Sequence, residues 1–274
     1  MPEGDTIFRT AQALHGALAG HLVTRFASTL PALNRIDHDR PLAGRTIESV
    51  TSRGKHLLMA FSGDLVLHTH MRMHGSWHLY RPGERWQRPT RDMRLVVATA
   101  RVVAVGFNVP VAELLSPRAL ARHKELSALG PDLLGTAFDR DEAVRRLRVR
   151  VRDPIGDVLL DQRIVAGIGN VLKSEILFVS GVDPFAPIGG LPDATLVRVI
   201  DVARDLLAAT VLGRSQTLSR ATGRRTTRSL DPTASLWVYG RGGKPCRTCG
   251  APIDARKAGI DARLTYWCSQ CQRA

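Results

Sequence analysis

Residues 245–271 read PCRTCGAPIDARKAGIDARLTYWCSQC, so Cys246-x2-Cys249 and Cys268-x2-Cys271 flank an 18-residue gap. Two such knuckles can bring four thiolates tetrahedrally onto one Zn²⁺, and four protein ligands leave no open position for water, so the site is of the structural kind. Two disulfides would use the same four residues. The chain has no other cysteine, its context reads as intracellular, and Leu264 to Trp267 has a strand pattern between the knuckles, all of which favour a zinc ribbon with one ion. The ribbon carries Arg241, Lys244, Arg247, Arg256, Lys257, Arg263 and Arg273 against Asp254 and Asp261. A basic ribbon of this kind faces nucleic acid more often than protein.

The whole chain continues that bias. It has 274 residues, with 39 Lys and Arg against 25 Asp and Glu, a formal charge of +14 that suits a polyanionic partner. A hydrophobic fraction of 44% excludes a disordered or fibrous chain. The uncharged stretch Val102 to Ala112 contains Gly106, Asn108 and Pro110 and is far shorter than the roughly 20 residues of a membrane span. Glu3, Asp5 and Arg9 interrupt any signal-peptide pattern, which predicts a cytoplasmic protein with no membrane association.

Upstream of the ribbon the periodicity changes twice. Pro2, the acids Glu3 and Asp5, and the spacing of Ile7, Ala11, Leu14 and Leu18 predict a first helix ended near Gly20. From His21 to about Ala112, short runs at Thr46 to Val50, Leu57 to Phe61, Leu65 to His70 and Leu95 to Val105 predict an antiparallel sandwich or barrel. Beyond Gly130 and Pro131 the pattern is helical, most clearly at Leu196, Val199, Ile200, Ala203, Leu206, Leu207 and Val211, with Gly213 as its stop. Gly213 to Asp231, with Arg214, Arg220, Arg224, Arg225 and Arg228, reads as a basic loop, either a solvated linker or a source of local positive field. The expected fold is α+β and multidomain: an N-terminal helix with an antiparallel β-sandwich over 1–125, a helical domain over 126–235 and the zinc ribbon over 236–274. His68, His70, His74 and His78 suggest a second metal site, but Gly75 breaks the register and no nearby carboxylate completes the set, so a structural role is favoured.

The opening Met1-Pro2-Glu3-Gly4, the block Asp161-Gln162-Arg163-Ile164-Val165-Ala166-Gly167-Ile168-Gly169-Asn170 continued to Phe178, and the ribbon occur in one order. Together they resemble the formamidopyrimidine-DNA glycosylase and endonuclease VIII family of base-excision repair enzymes, over nearly the whole chain. The middle block looks like the family's helix-two-turn-helix. A nucleotide-binding glycine loop is the rival for Gly167-x-Gly169, but it should follow a strand, and this one follows a helical pattern. The resemblance implies a bifunctional glycosylase and abasic-site lyase acting as a monomer on damaged double-stranded DNA, in the cytoplasm and nucleoid-associated through that DNA.

The site residues it implies each have a physical reason. Once Met1 is removed, Pro2 presents a terminal amine, whose pKa of about 7.7–8.0 leaves it partly unprotonated near neutrality. In the family this amine attacks the sugar of the damaged nucleotide, and Glu3 would be the acid and base beside it. Ser52-Arg53-Gly54-Lys55-His56 resembles the family hairpin whose lysine holds a phosphate next to the lesion, which implicates Lys55. Arg72, Met73 and His74 align with the wedge that fills the gap left by a flipped base. Asn170 at a helix start and Arg263 in the ribbon match phosphate-gripping positions, whereas Lys173 reads equally as added charge or a solvated helix residue. Cys246, Cys249, Cys268 and Cys271 are the zinc ligands.

The purine branch's Arg-Arg-Phe-Gly loop is absent, and Val105 to Leu115 followed by Gly130-Pro131-Asp132-Leu133-Leu134 looks more like endonuclease VIII, which implies oxidised pyrimidines as substrates. Two positions depart from the pattern. Thr6 stands where the family usually has a second glutamate, with Asp5 before it in place of proline, and Arg72-Met73-His74 replaces a more aromatic and apolar trio. The alternatives are a purine-directed glycosylase, a lesion-binding protein without catalysis, and a zinc-ribbon component of transcription or translation.

Overall fold

The computed structural model describes residues 2–212, 224–227, 229 and 231–273. They form two compact units divided between Ala128 and Leu129, and no described helix is long and apolar enough to cross a membrane.

The first unit begins with α1 (Gly4–Leu18) and β1 (Val23–Ser28), continues through α2 (Pro31–Asp39), β2 (Ile47–Arg53), β3 (His56–Phe61), β4 (Leu65–His70), β5 (Ser76–Tyr80), β6 (Met93–Thr99), β7 (Val103–Phe107) and β8 (Val111–Leu115), and closes with α3 (Pro117–Ala121) and α4 (Lys124–Ser127). The strands make two four-stranded antiparallel sheets, ordered β1-β6-β7-β5 and β2-β3-β4-β8. Alternation divides their faces. Leu57, Met59 and Phe61 of β3, Leu67 of β4 and Leu95 and Val97 of β6 enter one core with Ile7, Leu14 and Leu18 of α1. Val96, Val105, Phe107 and Tyr80 form a smaller cluster against Trp86.

Two expectations are corrected in this unit. The run Leu95 to Val105 is two strands, because Thr99 Oγ1 accepts from the Arg101 and Val102 amides and turns the chain without glycine or proline. Within the region read as all β lies α2, started by Pro31 and anchored by Leu33, whose burial is complete.

In the second unit, α5 (Arg140–Arg148), α6 (Ile155–Val158), α7 (Asn170–Val179) and α8 (Asp193–Leu212) surround a core of Leu147, Ile155, Leu172, Ile176, Leu196 and Ile200 among others. The hairpin of β9 (Asp254–Ala258) and β10 (Arg263–Trp267) packs on α7 in the same unit. Every residue of α7 except Val179 is buried, including Glu175, which has no exposed surface. Its Oε1 accepts from the Val238 and Tyr239 amides at 2.9 and 2.8 Å, and its Oε2 from the Trp237 amide at 2.8 Å and the Thr226 hydroxyl. One carboxylate thus fastens the chain leading into the ribbon. The expected helix stop at Gly213 and the Arg214, Arg220 and Arg228 portion of the basic loop lie outside the described residues; Arg225 is described and donates to the Asp231 carbonyl at 3.1 Å.

Candidate functional site

Two contacts fix how α1 lies on its sheet. The Gly20 amide donates to the Ile47 carbonyl at 2.8 Å, and the Val50 amide to His15 Nδ1 at 3.1 Å, so β2 runs toward the start of α1. From His15 back to Glu3 the helix covers about 18 Å, and from Val50 to Lys55 the strand covers about 17 Å. The N-terminal residues and the β2–β3 turn therefore reach the same end of the unit. Glu3 and Asp5 are fully buried there and Pro2 is half-buried. Asp5 Oδ1 accepts from the Thr6 amide at 2.8 Å, and Asp5 Oδ2 lies 3.8 Å from Arg9, so Asp5 holds the first turn of α1 together while Thr6 supplies no carboxylate. The state of Met1 lies outside the described residues.

Gly54 has a φ of 58°, a left-handed conformation that favours glycine, and presents Lys55 at the tip of the turn. His56 pairs with His70 across β3 and β4, and the next turn, residues 71–75, leaves from this end of the sheet. Arg72, Met73 and His74 are all exposed, Met73 to 54%, while Met71 is buried. Met73 therefore belongs to the surface, not the core. Gly75 makes the turn possible, since a Cβ there would lie 2.5 Å from the Met71 carbonyl oxygen. Arg72, with φ at 47°, reaches Glu125 at 3.6 Å.

The face of the sheet opposite the core carries a group of which the sequence reading named only His68 and His70. His56, His68 and His70 share it, and Glu113 stands directly across from His68 in the β4–β8 register. His68 Nδ1 and His123 Nε2 both meet Glu113 Oε2, at 2.9 and 3.0 Å, and His68 Nε2 lies 2.9 Å from His56 Nδ1. This corrects the expectation that no carboxylate stands near the histidines: it comes from β8, 45 residues from His68. His74 and His78 are not part of it; His74 is exposed and His78 meets Ser76 at 3.0 Å. Burial lowers His56 to about 3, with the neighbouring His70 and His68 adding to the effect. His70 falls to about 4 through burial and then the charges of Arg72 and Lys55. The same burial lowers His68 against the opposing bond to Glu113; burial pushes the Glu113 carboxyl up, and its two histidine partners outweigh that and hold it below the usual range. Near neutral pH His56 and His70 are therefore neutral imidazoles.

In the second unit, Asp161 Oδ1 accepts from the Arg163 amide at 3.0 Å and Gln162 Oε1 from the Gly167 amide at 3.0 Å, which shapes two turns between α6 and α7. Gly167 needs its φ of 113°, but Gly169 is extended, and its place is set by the helix start instead of by a tight turn. Asn170 Nδ2 donates to the Leu264 carbonyl at 2.9 Å, beside Arg263, while its buried Oδ1 has no partner. Arg263 is bound to Asp261 at 3.1 Å. Lys173 is not solvated: it is 1% exposed and donates to Thr265 Oγ1 at 2.7 Å, tying α7 to β10. Arg256 stacks 3.7 Å over Phe185.

The four cysteines carry no disulfide, and their sulfurs lie within 4.8 Å of one another. The pairs Cys246–Cys271 and Cys249–Cys268 are 3.9 and 3.5 Å apart, close to the separation of about 3.8 Å that a tetrahedron of Zn–S bonds imposes. The donor set fits, and the ribbon holds one structural zinc ion, which cross-links the two knuckles.

A sheet unit with buried acids at its first helix, a helix-turn-turn-helix and a four-cysteine finger define the architecture of a DNA-repair glycosylase. Residues 1–110 match the formamidopyrimidine-DNA glycosylase N-terminal domain, 129–221 the formamidopyrimidine-DNA glycosylase H2TH domain, and 243–274 the zinc finger found in FPG and IleRS. A probable endonuclease 8 2 of Streptomyces coelicolor is 42% identical over 99% of this chain and 94% of its own, and the DNA-(apurinic or apyrimidinic site) lyase Nei2 of Mycolicibacterium smegmatis is 40% identical over the full length of both. The crystal structure of Lactococcus lactis formamidopyrimidine-DNA glycosylase bound to DNA containing an abasic site superposes with a TM-score of 0.84 at 25% identity, covering 100% of each chain. This chain belongs to the formamidopyrimidine-DNA glycosylase and endonuclease VIII family, on its endonuclease VIII branch.

Proposed function

We propose that this protein is a bifunctional DNA glycosylase and abasic-site lyase of base-excision repair that removes oxidised pyrimidines from double-stranded DNA, acting as a monomer in the cytoplasm. The observation that carries the reading is the meeting, at one end of the first unit, of the Pro2–Glu3 start of α1, the Lys55 turn and the exposed Arg72-Met73-His74 turn.

In this mechanism the Pro2 nitrogen, freed by removal of Met1, attacks C1′ of the damaged nucleotide. The bond from C1′ to the base breaks, and the base leaves with a proton from the Glu3 carboxyl, which becomes the carboxylate. The Pro2 nitrogen then gives its proton to the Glu3 carboxylate, which passes it to O4′ as the C1′–O4′ bond breaks, and the ring-opened iminium so formed makes the 2′ hydrogen acidic. Loss of that proton to a base and departure of the 3′ phosphate then cut the strand by elimination. Lys55 holds a phosphate beside the lesion, and Arg72, Met73 and His74 occupy the space of the extruded nucleotide. Asn170 and Arg263, joined through the Leu264 carbonyl, grip phosphates with no reading of sequence, which suits an enzyme that must accept any flanking bases. The preference for pyrimidines rests on branch membership and on the absence of an Arg-Arg-Phe-Gly loop.

The test is borohydride trapping on duplex DNA containing one abasic site, with the wild type and Pro2→Glu, whose long acidic second residue keeps Met1 in place and leaves no free amine at position 2. A covalent adduct formed by the wild type and lost in the variant is expected. No adduct from protein whose intact mass shows Met1 removed would overturn the lyase mechanism and leave a lesion-binding protein.

A further inference from the structure

Among the described residues, one group of side chains outside the zinc ribbon aims its ligand atoms at a common point. We propose that His68, Glu113 and His123 form a second, exchangeable metal site, of the two-histidine, one-carboxylate kind, that takes a divalent transition ion such as Zn²⁺.

Three features support it. First, the donor atoms converge: His68 Nδ1, Glu113 Oε2 and His123 Nε2 lie within 4.8 Å of one another, with the carboxylate oxygen 2.9 and 3.0 Å from the two nitrogens. A tetrahedral zinc with bonds near 2.1 Å separates its ligands by about 3.4 Å, so each of the two oxygen–nitrogen separations needs to widen by only a few tenths of an ångström to admit the ion. Second, the surroundings match a metal-binding imidazole, whose other nitrogen ordinarily donates to a partner that fixes the ring. His68 Nε2 has that partner in His56 Nδ1 at 2.9 Å. With metal on His68 Nδ1, its proton moves to Nε2 and is donated to His56, whose own proton moves to the far side of the ring. The hydrogen bond reverses and is not lost. At His123 the corresponding proton shift gives up a long 3.4 Å contact from the Leu126 amide, a small sacrifice against a metal bond. Third, the exposure is graded: the His68 side chain has no exposed surface, while those of His123 and Glu113 are 17% and 43% exposed. One side of the group faces solvent, so a water completes the tetrahedron and the ion enters and leaves without unfolding the protein.

The site joins three segments: β4, β8 and the turn that starts α4 at His123. Glu125, in the first turn of α4, is the residue that meets Arg72 at 3.6 Å. An ion held by His123 would therefore fix α4 against the sheet and, through Glu125, restrain the exposed turn that carries Arg72 and Met73. The proposal does not depend on the chemistry assigned to Pro2.

The test uses the protein with its ribbon zinc retained. Equilibrium dialysis against micromolar Zn²⁺ followed by metal analysis should return two zinc ions per chain for the wild type and for His38→Ala, an exposed histidine far along the chain from the group. It should return one for His123→Ala and for Glu113→Ala, with the ribbon's ion and an unchanged circular dichroism spectrum reporting that each variant is folded. Co²⁺ added as a second equivalent should give weak visible d–d bands without the intense thiolate charge-transfer absorption of a four-cysteine site, and these bands should vanish in both variants. One zinc per chain in the wild type, or a second equivalent that survives in both His123→Ala and Glu113→Ala, overturns the proposal and leaves the group as a hydrogen-bonded network alone.

Discussion

Replacing Glu175 with glutamine removes one charge and adds no volume, so it isolates what the buried carboxylate does. The wild-type group accepts from the amides of Trp237, Val238 and Tyr239 and from the Thr226 hydroxyl. A glutamine has one carbonyl oxygen. If it faces Val238 and Tyr239, its NH2 confronts the Trp237 amide, which is left unpaired, while the Thr226 hydroxyl can rotate to accept. If it faces the other way, two amides are left unpaired. The first arrangement is the cheaper: one buried unpaired N–H costs about 1–3 kcal/mol, and two charge-assisted bonds weakened to neutral ones cost about 1 kcal/mol each. Relief from burying a charge offsets part of this, and the expected loss is about 3 kcal/mol of unfolding free energy for the second unit. Trp237 stacks on Phe178 with ring centroids 5.5 Å apart and supplies the signal, so urea unfolding followed by tryptophan fluorescence reads the change directly. A midpoint unmoved in Glu175→Gln, with unchanged m-value, would refute the account of this carboxylate as the fastening of the ribbon.

Two further outcomes follow from local geometry. Gly75→Ala forces a methyl group to 2.5 Å from the Met71 oxygen and 2.9 Å from its Cα, backbone atoms that cannot step aside; a loss of about 1–3 kcal/mol in the first unit is expected by thermal unfolding, with weaker binding to lesion-containing duplex in a gel-shift assay. Asp161 is held below its ordinary value chiefly by the Arg163 side chain, so its folded pKa is depressed; its stabilisation is present above the unfolded value of about 3.9 and is lost as pH falls through the folded one. Asp161→Asn should flatten the acid limb of the stability curve below about pH 4 and cost less than about 1 kcal/mol at pH 7, because the Arg163 partner is exposed to solvent. An acid limb as steep in the variant as in the wild type would assign that slope to other carboxylates.

The sequence by itself determined whatever depends on residues close together in the chain. The two Cys-x2-Cys knuckles specify their metal because thiol chemistry and spacing are local, and the start and register of α1 follow from Pro2, the early acids and the spacing of Ile7, Leu14 and Leu18. The exposed Met73 was legible from its place before Gly75. Local signals failed where the partner lay far away. Lys173 looks like an ordinary helix cation until β10 covers it and Thr265 Oγ1 accepts its hydrogen bond, and nothing local marks Glu175 until the chain returns more than fifty residues later with three amides to bind. The turn at Ala100–Arg101 was hidden because a threonine hydroxyl does the work that glycine or proline usually announces. The histidine face shows the division most plainly. The chain places His56, His68 and His70 on one side of two strands by alternation, but only the pairing of β4 with β8 brings Glu113 opposite His68, and only the fold of α3 and α4 over that face adds His123. Register is set by the packing of Leu57, Met59 and Leu67 into the core on the other side of the sheet, and a shift of one residue would turn every one of these side chains away.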